Sequence, residues 1–355
     1  MKKMKNIILI ISPHPKLLGG VVNHYIGLKD FWSSTVTYEF YGKRESIPAF
    51  LTFFYDLIKY AVKLIFNRPD VVIINPSLRR YQIIRDGIYL LIANALGIKV
   101  VTFIHGWDEQ YYKVLTRRPV PFRWVYNKSI FIYVLACSFK KQLLDIGIST
   151  TILLTTTKVD DKLLKNFDIK KRIGDIKNIL FLARIEKEKG VLIAIDAFSI
   201  LKEKYNWLTL TIVGFGSYLE QAKQYAIDKR VKDICFTGAL YGMDVANEYC
   251  KSDIYILPTT HGEGMPTSVL EALVFGLPVI TRPIGGINDF FDTKNMGSLI
   301  DDESPNSFAR ELESFILSAN KTRRTALFNH KYSVNRFLAS AVASNIEENI
   351  KTYLK

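Results

Sequence analysis

Eleven short apolar segments, most of them β-branched and free of polar interruption, alternate with helix-periodic stretches in two successive runs along the chain. Strands covered by helices on both faces read this way, so the sequence predicts an α/β protein built from two doubly wound parallel-sheet domains. Length agrees, because 355 residues exceed one ordinary core and suit two domains of about 150–200 residues each. A polar, lysine-rich stretch at 158–178, KVDDKLLKNFDIKKRIGDIKN, separates the runs. The expected domains are 1–160 and 161–335, followed by a helix at 336–355.

The first run opens after MKKMKN with the apolar stretch from Ile7 to Ile11, ended by Ser12 and Pro13. It is too short for a signal peptide and lacks a small-residue cleavage site, so it is read as a buried strand. Further strands are expected at 71–74, 100–104, 132–137 and 152–154. The second run places them at 179–183, 208–213, 234–237, 254–257, 279–281 and 297–300, with helices at 191–205 and 218–228. The tail ASAVASNIEENIKTYLK is amphipathic and expected to be helical from about residue 340 to 354. Nowhere do about 18 apolar residues run without charge, so no spanning helix is expected. Cys137, Cys235 and Cys250 lack the paired spacing of a zinc site or disulfide framework, and a cytoplasmic compartment is the default.

Of the net charge of +14, residues 1–170 carry +13, from 25 Lys and Arg against 12 Asp and Glu. A basic half points to nucleic acid, an anionic membrane surface or an anionic substrate. No recognition helix, zinc finger or basic-aromatic strand pattern is present, which argues against nucleic acid. Two segments suit a membrane surface: FLTFFYDLIKYAVKLIF at 50–66, with Lys59 and Lys63 on one helical face, and RRPVPFRWVYNK at 117–128. The plainer alternative is a helix packed on its sheet with both lysines solvated.

The chemistry concentrates in HGEGMPTSVLEAL, residues 261–273. A strand, DIYILP, leads into a loop and then into a helix whose start is marked by Pro266, Thr267 and Ser268 and whose end is marked by Gly276. Unpaired amides and the helix dipole at such a start suit a phosphate. Glu271 lies one turn beyond Thr267 on the same face, and Glu263 precedes the helix on the loop. A carboxylate accepts two hydroxyl hydrogens at once, so two acids around a phosphate site suggest a sugar nucleotide. An exposed Glu271 and an idle Glu263 are the plain alternative.

This pattern resembles the retaining GT-B glycosyltransferases of family 4, most strongly over residues 179–290. The two glutamates with seven residues between them look like that family's signature, and FGLPVITRPIGGINDFF looks like its following strand and glycine turn. The resemblance implies the GT-B fold, two Rossmann-like domains facing a central cleft, and sugar transfer from a UDP- or GDP-sugar to a glycan or lipid-linked acceptor. It implies that Glu263 contacts donor hydroxyls, that Glu271 holds the ribose, and that Gly264, Met265, Pro266, Thr267 and Ser268 approach the sugar and diphosphate.

FLARIEKEKG places Arg184 at a strand end and Lys189 five residues later, where family members carry cations that stabilise the leaving diphosphate. TIVGFGSYLE sets Gly214 and Gly216 between strand and helix, without the third glycine of a nicotinamide-binding fingerprint. The resemblance puts that loop, with Tyr241 and Gly242, beside the base, although packing is an equal reading for Tyr241. In the first half, Gly19 and Gly20 would let backbone approach a phosphate or acceptor, and His105 ends a strand where the family has a catalytic histidine. Asp108, Glu109, Arg79 and Arg80 are weaker acceptor-side candidates. TTTKVDD departs from the family, with Thr157 and Lys158 where Asn-Gly is frequent.

The glutamates do not read as a glycosidase pair, since the second is assigned to ribose. Transfer with retention, no metal and no cofactor are expected, with cations and a helix start taking the metal's place. The anticipated setting is polysaccharide or glycolipid assembly in the cytoplasm, with peripheral attachment to the inner face of the membrane left open. A noncatalytic sugar-nucleotide-binding or scaffolding protein and a nucleotide-sugar epimerase are the alternatives.

Overall fold

The computed structural model describes residues 7–15, 17, 19–42, 49–172, 174–260 and 264–354. The chain forms two compact units, residues 1–158 with 339–355, and residues 159–338.

Unit 1 is built on β1 (Ile7–Pro13), β2 (Thr35–Tyr41), β3 (Val71–Ile74), β4 (Ser77–Leu78), β5 (Lys99–Phe103), β6 (Gly106–Trp107), β7 (Phe131–Val134) and β8 (Ile152–Leu154). Six of them form one parallel sheet in the order β2-β1-β3-β5-β7-β8, and β4 pairs with β6 in a small parallel ribbon. The central strands β3 and β7 are buried along their whole length, as expected for strands covered on both faces. The helices are α1 (Gly20–Leu28), α2 (Ala49–Asn67), α3 (Arg80–Ala95), α4 (Glu109–Arg117), α5 (Val120–Tyr126), α6 (Cys137–Asp145) and, from the far end of the sequence, a last helix at Ala339–Leu354. That last helix is tied into unit 1: Glu347 accepts hydrogen bonds from the Ser33 hydroxyl at 2.6 Å and from the Ser34 amide, and Asn349 donates to the Tyr133 hydroxyl.

β2 was not foreseen. Its sequence, TVTYEFY, alternates polar and aromatic residues because it lies at the sheet edge, so it lacks the apolar run that marks a central strand. It also corrects the reading of the neighbouring helix. Lys59 and Lys63 of α2 both reach Glu39 of β2, at 2.6 and 3.1 Å, and Lys63 also donates to the Tyr38 carbonyl, while Lys59 keeps an exposed side. Glu39 is buried, and two cations offset the cost of placing its charge there.

Unit 2 repeats the architecture with β9 (Asn178–Leu182), β10 (Thr209–Val213), β11 (Ile234–Gly238), β12 (Ile254–Leu257), β13 (Val279–Thr281) and β14 (Gly297–Leu299), all parallel, in the order β11-β10-β9-β12-β13-β14. Its helices are α7 (Val191–Lys204), α8 (Leu219–Asp228), α9 (Met243–Lys251), α10 (Thr267–Val274), α11 (Pro305–Ile316) and α12 (Ala319–Val334), which makes the helix at Ala339–Leu354 α13. The core lies between the sheet and these helices and includes Phe181, Phe198, Tyr255, Phe275 and Phe308. Among the described residues, no helix is long and apolar enough to cross a membrane.

The lysine-rich stretch beginning at residue 158 is not a solvated spacer. Leu163, Leu164 and Phe167 pack on the core of unit 2. Arg172 sends its guanidinium inward to three carbonyls, those of Phe275 (2.6 Å), Ser252 (2.6 Å) and Tyr249 (2.8 Å), at the C-terminal ends of α10 and α9. A planar fork of donors suits three helix-end acceptors at the negative pole of the dipoles. Replacing it with methionine strands those acceptors, so Arg172→Met should lower the unfolding free energy by about 2–4 kcal/mol in urea titration. An unchanged midpoint would show that the carbonyls find other donors.

Candidate functional site

In each sheet the strand order reverses direction once. In unit 2 the chain runs outward through β9, β10 and β11 on one side and through β12, β13 and β14 on the other, so the reversal falls between β9 and β12. In unit 1 it falls between β1 and β3. Loops leaving the carboxyl ends of two such strands diverge and open a crevice, the usual ligand position in open α/β sheets.

In unit 2, the loop after β9 carries Arg184 and Lys189, and the loop after β12 leads into α10. Tyr255, fully buried in β12, joins the two: its hydroxyl lies 2.9 Å from the Leu182 carbonyl at the end of β9 and 2.8 Å from Ser268 Oγ in the first turn of α10. The carbonyl of Glu188, next to Lys189, accepts from the Thr260 amide at 2.7 Å and from the Thr259 hydroxyl at 3.1 Å. Gly190 makes this approach possible. Its φ is +78°, and a Cβ there would fall 2.2 Å from the Pro258 carbonyl.

Arg184 is exposed and Lys189 is buried. Burial, reinforced by the charge of Arg184, pulls the Lys189 ammonium down to about 8, with Glu188 opposing. The two cations therefore act on one small region, one of them with its hydration largely stripped.

α10 begins at Thr267 after Pro266, with no side-chain cap on its first amides. Glu271 lies one turn in, and the Tyr249 hydroxyl meets its Oε2 at 2.9 Å and the Ser268 carbonyl at 3.1 Å. Burial and then the Glu271 charge push the Tyr249 phenol well above its ordinary value, so it remains a donor that fixes the carboxylate. Gly264 and Met265 precede the helix, and the Gly264 carbonyl accepts from the Gly286 amide of the glycine turn at 2.8 Å. Glu263 lies outside the described residues.

Gly214 and Gly216 have a steric task. Their missing Cβ atoms would fall 1.9 Å from the Ala183 carbonyl and 2.3 Å from the Ile185 carbonyl, so they let the β10 loop press on the segment bearing Arg184. Tyr241 is 79% exposed, so it takes no packing role, and Gly242 caps α9 at φ +56°.

In unit 1, Gly19 precedes α1 and Gly20 opens it. Gly19 is extended, neither lies in the left-handed region, and a Cβ on either would meet nothing within 4 Å. The chain itself therefore does not require glycine there, and the backbone stands open. His105 follows β5. Its Nε2 is 3.0 Å from Asn75 Oδ1, which also accepts from the Tyr25 hydroxyl at 2.7 Å, while Asn75 Nδ2 donates to the Ile11 carbonyl. Because Nδ2 is committed to Ile11, Oδ1 faces the imidazole, and Nε2 carries the proton. Burial, then neighbouring His24, hold His105 well below the usual histidine range, so it is a neutral ring with a lone pair on Nδ1. Asn75 and Tyr25 were missed from sequence; the only signal was an asparagine closing an apolar strand.

Three of the weaker candidates have partners within unit 1. Asp108 caps α4 through the Gln110 and Tyr111 amides and lies 3.8 Å from Arg79, and Glu109 accepts from Gln142. Arg80 is exposed at the start of α3. At the family departure, the Lys158 tail covers Gly27 of α1, where a Cβ would fall 2.1 Å from its Cε. A cavity of about 400 Å³, lined by Val21, Tyr41, Asn75, Gln82 and Arg85 among others, opens at the strand reversal of unit 1.

His24 sits beneath this cluster, with its ring centroid 5.3 Å from that of His105. Burial and the Lys158 charge depress its pKa to about 3. The unfolded chain binds that proton near pH 6.5 and the folded one does not, so this stability is complete above about 6.5 and is lost as pH falls toward 3. Melting temperatures from pH 7 to 4.5 should decline, and more shallowly in His24→Phe. Parallel slopes would remove His24 as the cause.

The family model described as Glycosyl transferases group 1 matches residues 165–328. The chain is 24% identical over 225 residues to the amylovoran biosynthesis glycosyltransferase AmsK of Erwinia amylovora, covering 62% of this chain and 54% of that one. It is 26% identical over 157 residues to a GDP-mannose-dependent alpha-(1-6)-phosphatidylinositol monomannoside mannosyltransferase of Mycobacterium tuberculosis, covering 42% and 41%. The chain thus spans about half the length of the curated relatives it matches. Among solved structures, a glycosyltransferase from Rickettsia africae matches with a TM-score of 0.75 at 16% identity, covering 99% of both chains. Anabaena Alr3699/HepE in complex with UDP matches with a TM-score of 0.75 at 15% identity, covering 97% and 99%. The fold class is GT-B, with two Rossmann-like parallel-sheet units in one chain.

Proposed function

We propose that this chain is a retaining, metal-independent glycosyltransferase of family 4, moving a hexose-type sugar from a nucleotide-diphosphate sugar to an acceptor hydroxyl in cell-surface polysaccharide or glycolipid assembly. The observation that carries this reading is the joint anchoring of the Arg184–Lys189 turn and the start of α10 by Tyr255 at the reversal of strand order.

In this reading unit 2 is the donor domain. The first amides of α10 and the cations of Arg184 and Lys189 hold the diphosphate, Glu271 accepts the ribose hydroxyls in the orientation set by Tyr249, and Glu263 accepts those of the sugar. As the anomeric C–O bond breaks, charge grows on the departing phosphate oxygen, and preset cations stabilise that state more than the ground state. The same oxygen takes the acceptor proton, and the new bond forms on the face just vacated. Unit 1 is the acceptor domain, with open backbone at Gly19 and Gly20, and His105 contacts the sugar in transfer. The enzyme works in the cytoplasm, peripheral to the inner face of the membrane.

Thermal-shift screening of UDP, GDP, ADP and their sugars identifies the donor, since a ligand bound only by the folded form raises its melting temperature. Transfer should then proceed in EDTA and retain the anomeric configuration by NMR. Lys189→Ala should reduce turnover at least about 100-fold with nucleotide binding weakened much less. Nucleotide binding with neither transfer nor donor hydrolysis would return the noncatalytic alternative. Tyr249→Phe should weaken nucleotide binding roughly five- to tenfold and change kcat little, which is about the loss of one charge-assisted hydrogen bond. With wild type, kcat/KM should fall above pH 8 as Lys189 loses its proton, and Lys189→Arg should move that limb upward.

A further inference from the structure

We propose that the cavity at the strand reversal of unit 1 holds the acceptor, that this acceptor is an uncharged sugar ring at the end of a glycan already begun, and that the enzyme extends a glycan and does not start one. The proposal rests on the glycosyltransferase reading above and names the acceptor class which that reading leaves open. The cavity, of about 400 Å³, lies at the small end of the range for ligand sites and has room for a terminal sugar unit. Its place fits an acceptor. Leu17 and Val21 in its wall bracket the open backbone of Gly19 and Gly20, and Asn75, also in the wall, holds His105 through the 3.0 Å contact with Nε2.

The wall combines aromatic faces with polar groups, the pairing a pyranose needs for its C–H faces and its hydroxyls. Tyr81 stands at the rim, 68% exposed, while Tyr41 and Tyr89 are buried in the wall. Arg85 gives Nε and Nη2 to Asp86, and Nη2 also to the Tyr41 hydroxyl, which leaves Nη1 without a partner among the described residues. Gln82 accepts from the Ser77 amide through Oε1, so its Nε2 remains as a donor. Thr52, also in the wall, is 3% exposed, and its hydroxyl has no partner among the described residues. A buried hydroxyl left unpaired costs stability, and a sugar hydroxyl supplies the missing partner.

Charge decides against an anionic acceptor. Among the described residues, Asp56 and Arg85 are the charged members of the lining. Asp56 is buried, and Arg85 already meets buried Asp86 at 2.6 Å, so one cation stands among two carboxylates. The nearby cations are engaged elsewhere: Lys59 and Lys63 reach Glu39, Arg79 lies 3.8 Å from Asp108, and Arg80 lines the separate groove between α3, α4 and α5. A phosphate or uronate would give up its hydration here without an unmatched counter-charge, whereas a neutral ring gives up only hydroxyl hydrogen bonds that the wall replaces. In the transfer, the anomeric C–O bond of the donor breaks, the ring hydroxyl of the acceptor forms the new C–O bond through its oxygen, and its proton leaves on the diphosphate. An earlier glycosyl transfer, onto an acceptor that is not a sugar, must therefore supply the ring that this enzyme extends.

The test is saturation-transfer-difference NMR on the full chain with no donor present, using methyl glycosides of glucose, galactose, mannose, rhamnose and N-acetylglucosamine beside methyl glucuronide and glucosyl phosphate. At least one neutral glycoside should be saturated, and neither charged sugar should be. Tyr81→Ala should weaken binding of that glycoside about tenfold at an unchanged melting temperature, because the side chain is exposed. Thr52→Val should weaken it roughly fivefold and leave the melting temperature equal or higher, since no internal hydrogen bond is lost. The glycoside that binds should then accept sugar from the donor, and the charged sugars should not. Donor hydrolysis is assayed separately, so a chain that hydrolyses donor but binds none of the neutral glycosides overturns this proposal and leaves the transferase reading intact. Equal binding of either charged sugar, or unchanged affinity in both variants, overturns it as well.

Discussion

The reversal of strand order is the constraint on which the rest depends. A parallel sheet aligns all its carboxyl ends on one side, and a reversal sends the two adjacent loops apart, leaving space between them. In unit 2 that space lies between β9 and β12, and the two strands pair only through Ile254 with Ile179 and Tyr255 with Leu180. Beyond that pairing the backbone separates, and the hydroxyl of Tyr255 spans the gap from Leu182 to Ser268. A tyrosine can do this because its ring packs in the core while its tip remains a hydrogen-bonding group. Asn75 does the corresponding work in unit 1, linking the end of β3 to the Ile11 carbonyl of β1 and to the imidazole of His105.

Three glycines make the loops of unit 2 close enough to matter. Gly190, Gly214 and Gly216 each stand where a methyl group would strike a carbonyl oxygen of a neighbouring loop, and together they confine the segment from Ala183 to Lys189 on two sides. A cation on a flexible loop loses rotational freedom when it meets a ligand; one held on a confined segment has lost much of it already on folding. These glycines therefore restrict the segment that carries Arg184 and Lys189.

Much of this was legible in the sequence because it rests on short-range pattern. Central strands such as β3, β12 and β13 are covered on both faces, and their apolar runs gave the same limits as the structure. Helix-start residues announced α10 for the same reason. What could not be read depends on contacts distant in the chain. The edge strand β2 hides because one side of it is solvated, Arg172 looks like part of a charge run until its three carbonyl partners are brought to it from 77 to 103 residues away, and Tyr249 looks like a core aromatic. The close approach that Gly214 and Gly216 permit involves the backbone of another loop, so the local pattern did not show it. The ion pairs of Lys59 and Lys63 could not be read because their partner, Glu39, lies on the strand that was missed.

Lys189 shows why a chain keeps an arrangement that costs it stability. Burying an ammonium beside a guanidinium opposes its charged form, and the depressed pKa records that opposition. Glu188, its sequence neighbour, relieves part of it. In the proposed reaction a diphosphate bound at the start of α10 brings negative charge to this cation, and the interaction strengthens as further negative charge develops there. In that proposed reaction the exposed Arg184 and the buried Lys189 divide the work: the first meets an approaching anion while still hydrated, and the second acts once water has been displaced.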